Sequence, residues 1–374
     1  MYSRYANFSH NFIRNIKIGR KGFILQAKQT TFPTQASHRI YLWDNLKFIL
    51  IFLVVFGHFI HNYTDNSMIT EKLYTYICSF HMPAFLFISG LFSKKVIKAK
   101  NYRKCFEFFV LYVFTKLCIF LSKIITAEDY SLSLLDEGSV PWYAFALMAF
   151  FLITMLLQQL HPIYLFVFAI IMGCICGYDE DINDFLVSSR IIVFYPFFLA
   201  GFFLDQKKIA AIVSKWYAKV AAIGVHIGWL AYLWNVKDAT VIWHPIVTGR
   251  EHIDEIGIHY FRYRLIYYMV AFVLIFSVIA LAPAAKCIIS GMGSRSIQVY
   301  ALHRGLIYLF YHYMPADELL KICGEVNLHF VLLGLSLLLT LALSIPLLAP
   351  ILQSILKPKW MKKALIIETQ KKAA

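Results

Sequence analysis

Two ionisable side chains interrupt an otherwise apolar run near the start of the chain. Trp43-Asp44-Asn45-Leu46-Lys47 opens the stretch, Phe48 to Gly57 is almost unbroken in its apolarity, and His58 follows. Lys47 and His58 are eleven residues apart. That is three helical turns, which puts both side chains on one face about 16 Å apart along the axis, with Asp44 beside them. A helix in lipid carries such groups only where they meet a partner or a wet cavity. His58 is therefore a candidate base or nucleophile, the alternative being a packing hydrogen bond. Lys47 reads either as a functional amine or as an end-of-helix anchor that reaches the interface.

A second histidine lies in Phe80-His81-Met82-Pro83. Pro83 is expected to interrupt a helical ladder and free a carbonyl beside His81, which membranes tolerate where the break faces protein or a cavity. Ser89 and Gly90 are expected to let helices approach closely. Lys94, Lys95, Lys98, Lys100, Arg103 and Lys104 then crowd one short connection.

These groups must be positioned by membrane helices. The 374 residues are 60% hydrophobic and 15% charged, too apolar to cover a soluble surface. The net charge of +15 sits in the connections between apolar runs, as topology requires, and not in a face for nucleic acid, so no nucleic-acid partner is expected. The seven cysteines lack paired CxxC spacing, and neither a disulfide framework nor a metal site is indicated; Cys174 and Cys176 read as apolar filler.

The expected fold is all-α, a polytopic bundle of about ten transmembrane helices in the lipid bilayer. The spans are Leu42 to His61, Leu73 to Phe92, Cys105 to Ile125, Pro141 to Gln158, Ile163 to Tyr178, Arg190 to Leu204, Trp216 to Asn235, Arg264 to Leu281, Ser296 to Tyr313 and Leu328 to Leu356. Positive charge recurs on alternate connections, which places both termini in the cytoplasm of a multi-pass plasma-membrane protein. Residues 1–39 form a basic arm, disordered or interfacial, 40–356 the transmembrane domain, and 357–374 a basic tail. The long outer connection from Val236 to Tyr263, with Trp243, His244, Arg250, His252 and His259, is a candidate lid or acceptor-binding surface.

The ordered set Asp44-Asn45-Leu46-Lys47, Gly57-His58, Phe80-His81-Met82-Pro83-Ala84-Phe85 and Ile88-Ser89-Gly90 resembles membrane acyltransferase family 3. Within it the chain looks most like the fucose 4-O-acetylase-like branch, in which Lys stands where many relatives have Arg before the ten-residue gap. Pro141-Trp142-Tyr143 resembles the family's Trp-aromatic motif, and Gly293-Ser294-Arg295-Ser296-Ile297 with Tyr300-Ala301-Leu302-His303 resembles its late span. The resemblance covers roughly Arg39 to Leu356.

It implies transfer of an acetyl group from acetyl-CoA, a co-substrate and not a resident cofactor, to a hydroxyl of a cell-surface or envelope carbohydrate. His58, Lys47 and His81 are the catalytic candidates. Asp44, Lys94, Lys95, Arg103, Lys104, Trp142, Arg295, Tyr300 and His303 are the candidates for substrate or donor binding. The basic connection suffices as a topology signal and is also suited to the phosphates of CoA. Direct transfer with His58 as base and transfer through an acetyl-imidazole are both compatible with the residues. A multispan transporter or flippase of an envelope glycan or lipid-linked sugar is the alternative, and a catalytically dead scaffold is a third possibility.

Overall fold

Apolar chain in lipid must satisfy its backbone internally, and helices do this within one segment. The computed structural model describes residues 39–357, except 66, 128–131, 134, 136–138, 180, 181, 183 and 250–258. All but the last residue of the basic arm and all but the first residue of the tail expected from the sequence lie outside the described residues.

Fifteen α-helices and no strand occur among the described residues. They are α1 (Tyr41–Ile60), α2 (Met68–Cys78), α3 (His81–Lys98), α4 (Arg103–Ile125), α5 (Trp142–Leu157), α6 (Pro162–Ile175), α7 (Ser188–Phe203), α8 (Gln206–Val213), α9 (Trp216–Asn235), α10 (Ala239–Thr248), α11 (Tyr260–Leu281), α12 (Ile288–Gly293), α13 (Ser296–Tyr313), α14 (Ala316–Leu343) and α15 (Leu348–Leu356).

All ten apolar stretches are helical, but among the described residues five segments are long and apolar enough to cross a membrane. These are Tyr41–Tyr63, Met68–Lys98, Arg103–Ile125, Tyr260–Leu281 and Ala316–Leu343. Helices α7 and α8, bent by 92°, make a sixth if they count as one span. Helices α5 and α6 are apolar but short, and α13 carries Gln298, His303 and Arg304. Asp205 marks the 92° bend, where its carboxylate accepts from the Lys207 and Lys208 amides at 2.8 and 3.0 Å and caps α8.

Two expected boundaries move. The break beside His81 falls at Ser79–Phe80, before the histidine, and Pro83 sits in the first turn of α3, where its missing N–H leaves no helical bond unmade. The last expected span begins in α14, whose two helical pieces meet at a kink at Gly324 (φ 72°), and it divides between α14 and α15 at a turn containing Pro346.

Helices α3 and α7 touch backbone to backbone. A methyl group at Gly90 would lie 2.0 Å from the Phe198 carbonyl oxygen, and one at Gly201 would lie 1.9 Å from that of Phe87. Only glycine admits this approach.

The orientation of α1 is fixed by Asn45, which is wholly buried. Its Nδ2 donates to the carbonyls of Pro283 and Ala285 at 2.7 and 2.8 Å. Its Oδ1 accepts from Ser290 Oγ at 2.6 Å and from Cys287 Sγ at 3.3 Å. Both amide hydrogens and both lone pairs are thus used, all by the segment from Pro283 into the first turn of α12. Gly293 permits the closeness, since a methyl there would lie 1.7 Å from the Asp44 carbonyl oxygen.

Asn45→Ala removes the amide from the carbonyls of Pro283 and Ala285, which are exposed residues, and takes its acceptor from the buried Ser290 hydroxyl, a loss of about 1–3 kcal/mol. The variant is expected to unfold at lower temperature in detergent and to react faster with thiol reagents at Cys287. An unchanged melting temperature would show that the anchor is not structural.

Candidate active site

The residues of α1 that face inward recur at helical spacing. Lys47, Ile51, Val54 and His58 line a cavity of about 310 Å³, and Val54, Gly57, His58 and His61 line a second of about 410 Å³. Steps of three and four residues keep one stripe of the helix on this side. Helix α13 supplies a matching stripe, with Ile297 and Tyr300 in the first cavity and Arg304 and Tyr308 in the second. Helix α3 passes both in the opposite order, from His81 in the second cavity through Met82 in both to Phe85, Ser89 and Phe92 in the first. Val54, His58, Met82, Val140 and Trp142 border both cavities. The imidazole of His58 is therefore reachable from two sides.

The first cavity is mainly apolar with two lysines in its wall. Lys47 Nζ lies 3.1 Å from Asp44 Oδ1 and 5.3 Å from the centre of the Phe92 ring. Lys104 Nζ lies 2.9 Å from Glu107 Oε2. Lys47 and His58 border the same cavity about 16 Å apart along α1, the distance that eleven residues of helix produce.

A second imidazole stands beside His58. The His58 and His303 rings are 5.3 Å apart between centres. His303 Nδ1 contacts the Val299 and Tyr300 carbonyl oxygens at 2.8 and 3.0 Å, and carbonyls only accept, so Nδ1 carries the hydrogen. In the neutral ring this leaves Nε2 as a lone pair; it is buried, with no hydrogen-bond partner among the described residues. His81 is held similarly, its Nδ1 donating to the Ile77 carbonyl at 2.7 Å across the break between α2 and α3. The chamber thus gathers four imidazoles, His58, His61 and His81 in its walls and His303 against His58, and in His81 and His303 the Nδ1–H contacts leave Nε2 as the basic atom of the neutral ring.

Tyr300 organises the mouth of α5. Its hydroxyl donates to the Val140 carbonyl at 3.0 Å and accepts from the Ala144 amide at 3.2 Å, an amide that also donates to the Pro141 carbonyl at 3.0 Å. It caps from another helix a terminus that has no side-chain cap of its own. The first residue of α5 is Trp142, which borders both cavities. The adjacent Tyr143 shares a 2.9 Å hydrogen bond with Ser89, a residue expected only to pack.

Of the sequence-derived candidates, His58, Lys47, His81, Lys104, Trp142 and Tyr300 line a cavity, Asp44 pairs with Lys47, and His303 stands against His58. Four others are placed elsewhere. Lys94 donates to the Leu204 carbonyl, Lys95 is exposed, Arg103 lies 3.6 Å from Glu107, and Arg295 Nε donates to the Ser344 carbonyl at 2.6 Å. From the long outer connection, Val247 and Thr248 of α10 line the second cavity, and the His244 ring is 5.3 Å from that of Tyr74 in its wall. Arg250 and His252 lie outside the described residues.

Sequence reasoning passed over Arg190, taken only as a span boundary, and Arg304, next to His303; both line the second cavity. A charge within an apolar run was the available signal.

Residues 40–349 match the family model described as an acyltransferase domain, that of membrane acyltransferase family 3. The chain belongs to membrane acyltransferase family 3. The match takes in every residue of both cavities. Together with the apolar helices it makes the chain a membrane protein with an acyltransferase domain. No curated protein and no solved structure matches the chain significantly.

Tyr300→Phe removes the hydroxyl from the Ala144 amide and from the Val140 and Pro141 carbonyls at the start of α5. The expected cost is about 1–2 kcal/mol, read as a lowered melting temperature. The acyl-transfer rate should fall with it as Trp142 loses its placement, and a rate and melting point equal to wild type would refute the capping role.

Proposed function

We propose that this family member is an O-acetyltransferase of the plasma membrane that moves an acetyl group from acetyl-CoA to a hydroxyl of a cell-surface or envelope carbohydrate. The observation that carries this reading is His58 in the common wall of two cavities. A group transferred between two bulky substrates needs its catalytic residue where both can arrive.

The donor occupies the first cavity. Its phosphates lie at the Lys47 and Lys104 end, exchanging Asp44 and Glu107 as ion partners, and its extended pantetheine arm reaches along the apolar wall to His58. That arm has the shape for a passage of about 16 Å lined by Ile51, Phe85 and Phe92. The acceptor occupies the more polar second cavity. In this topology the lysine end faces the cytoplasm, both termini are inside, and about ten helices cross the bilayer. Membership of the fucose 4-O-acetylase-like branch fits the Lys at position 47.

His58 takes the hydroxyl proton as the acceptor oxygen attacks the thioester carbonyl. The carbon–sulfur bond breaks, the ester forms, and the CoA thiolate leaves and regains a proton. Alternatively His58 itself accepts the acetyl group and passes it on. His303 and His81 present basic nitrogens within the same chamber region. The family match favours this reading over transport of a glycan, for which the same cavities would serve as a path.

In membranes supplied with radiolabelled acetyl-CoA, His58→Ala is expected to lower incorporation into carbohydrate at least ~100-fold while the protein still inserts. Near-normal incorporation would remove His58 from the chemistry. Lys47→Ala is expected to raise the KM for acetyl-CoA about tenfold, as for loss of one charge-assisted contact, with less effect on the acceptor. A donor dependence identical to wild type would exclude Lys47 from donor binding.

A further inference from the structure

The second cavity has a charge imbalance that the transfer chemistry does not use. Arg190 and Arg304 are in its wall, and neither Asp nor Glu lines it among the described residues. Arg190 is 3% exposed and lies 3.6 Å from Asp184, with its guanidinium 5.1 Å from the Trp142 ring centre. No ion pair joins Arg304 to an acidic side chain among the described residues. Its Nη2 donates to Tyr308 Oη at 3.1 Å and its guanidinium lies 4.3 Å from that ring's centre. Its Nε is buried with no hydrogen-bond partner among the described residues. A guanidinium is always charged, and among aromatic walls it is costly without a counter-ion.

Its place decides whose counter-ion this is. Arg304 follows His303, whose ring adjoins that of His58, and it shares the second cavity with His58. The lysines suited to donor phosphates line the first cavity instead. An anion at Arg304 thus belongs to the molecule that receives the acyl group. The planar fork of arginine matches an oxyacid with two or three acceptor oxygens.

Building on the proposed acetyl transfer, we infer that the acceptor is an anionic carbohydrate, whose carboxylate or phosphate is held by Arg304 with Arg190 beside it while a neighbouring hydroxyl is presented to His58. A neutral glycan would leave Arg304 uncompensated in the loaded site. The anion accordingly serves both to neutralise the chamber and to fix which hydroxyl reaches the base.

The test uses membranes of the native host carrying the full chain or its His58→Ala variant, with radiolabelled acetyl-CoA as the probe. Carbohydrate labelled only with the wild-type chain is digested to small fragments and passed over an anion exchanger. The expected result is label on retained fragments. Carbodiimide-dependent reduction releases them if the anion is a carboxylate, and phosphatase or mild acid releases them if it is a phosphate. Arg304→Gln is expected to lower labelling at least about tenfold, and Arg304→Lys, which keeps the charge without the fork, by less. Label on neutral fragments overturns the inference and leaves acetyl transfer standing, as does an equal loss in both Arg304 variants. Absence of any His58-dependent label overturns acetyl transfer itself, and the anionic acceptor falls with it.

Discussion

The arrangement of this protein depends on how α1 is turned about its axis. Asn45 sets that rotation by spending every hydrogen-bonding position of its amide on one partner segment, between Pro283 and Ser290. A rotation of α1 by half a turn would send Lys47 and His58 toward other neighbours and close the inner stripe. The amide works as a positional device because hydrogen bonds are directional, whereas the apolar contacts of the same helix would tolerate sliding. The Gly293 contact with the α1 backbone adds a steric stop at the same level.

The remaining walls are held by comparable devices at other heights. The reciprocal approach of Gly90 and Gly201 locks α3 to α7, and Tyr300 ties the start of α5 to α13. Each is a polar or small residue in an apolar setting, where lipid offers no hydrophobic drive for helices to associate and close packing and hydrogen bonds must supply it. The resulting passage is apolar and lysine-edged on one side of His58, and arginine-rich on the other. In the proposed reaction this asymmetry would separate a nucleotide-bearing donor from its acceptor, with the imidazole as their meeting point.

Much of the site was legible because it lies on regular helices. The eleven-residue step from Lys47 to His58 needs only helical periodicity to become one face, and the structure places both residues in one cavity wall. Tyr300 and His303 are singled out by their resemblance to the family's late span, and the structure sets Tyr300 in the wall of the first cavity and His303 against His58. What could not be read were relations across the chain. Asn45 meets partners more than two hundred residues away, and nothing local distinguishes it from a polar residue at a helix end. The lysine cluster shows the opposite error. Its charge density suggested one site, yet Lys94 and Lys95, near the end of α3, are not among the residues that line the first cavity, and Lys104 alone of the cluster is. The number of spans was less legible, because length and apolarity alone single out five or six crossing segments among the described residues and leave a helix of sixteen residues such as α5 undecided.

The central claim is that donor and acceptor reach His58 from opposite cavities. A structure of the protein with CoA bound tests it most directly. The account places the CoA phosphates at Lys47 and Lys104 and its thiol sulfur beside His58, with the second cavity free for the acceptor. CoA phosphates found on Arg304, or a thiol ending away from His58, would contradict it.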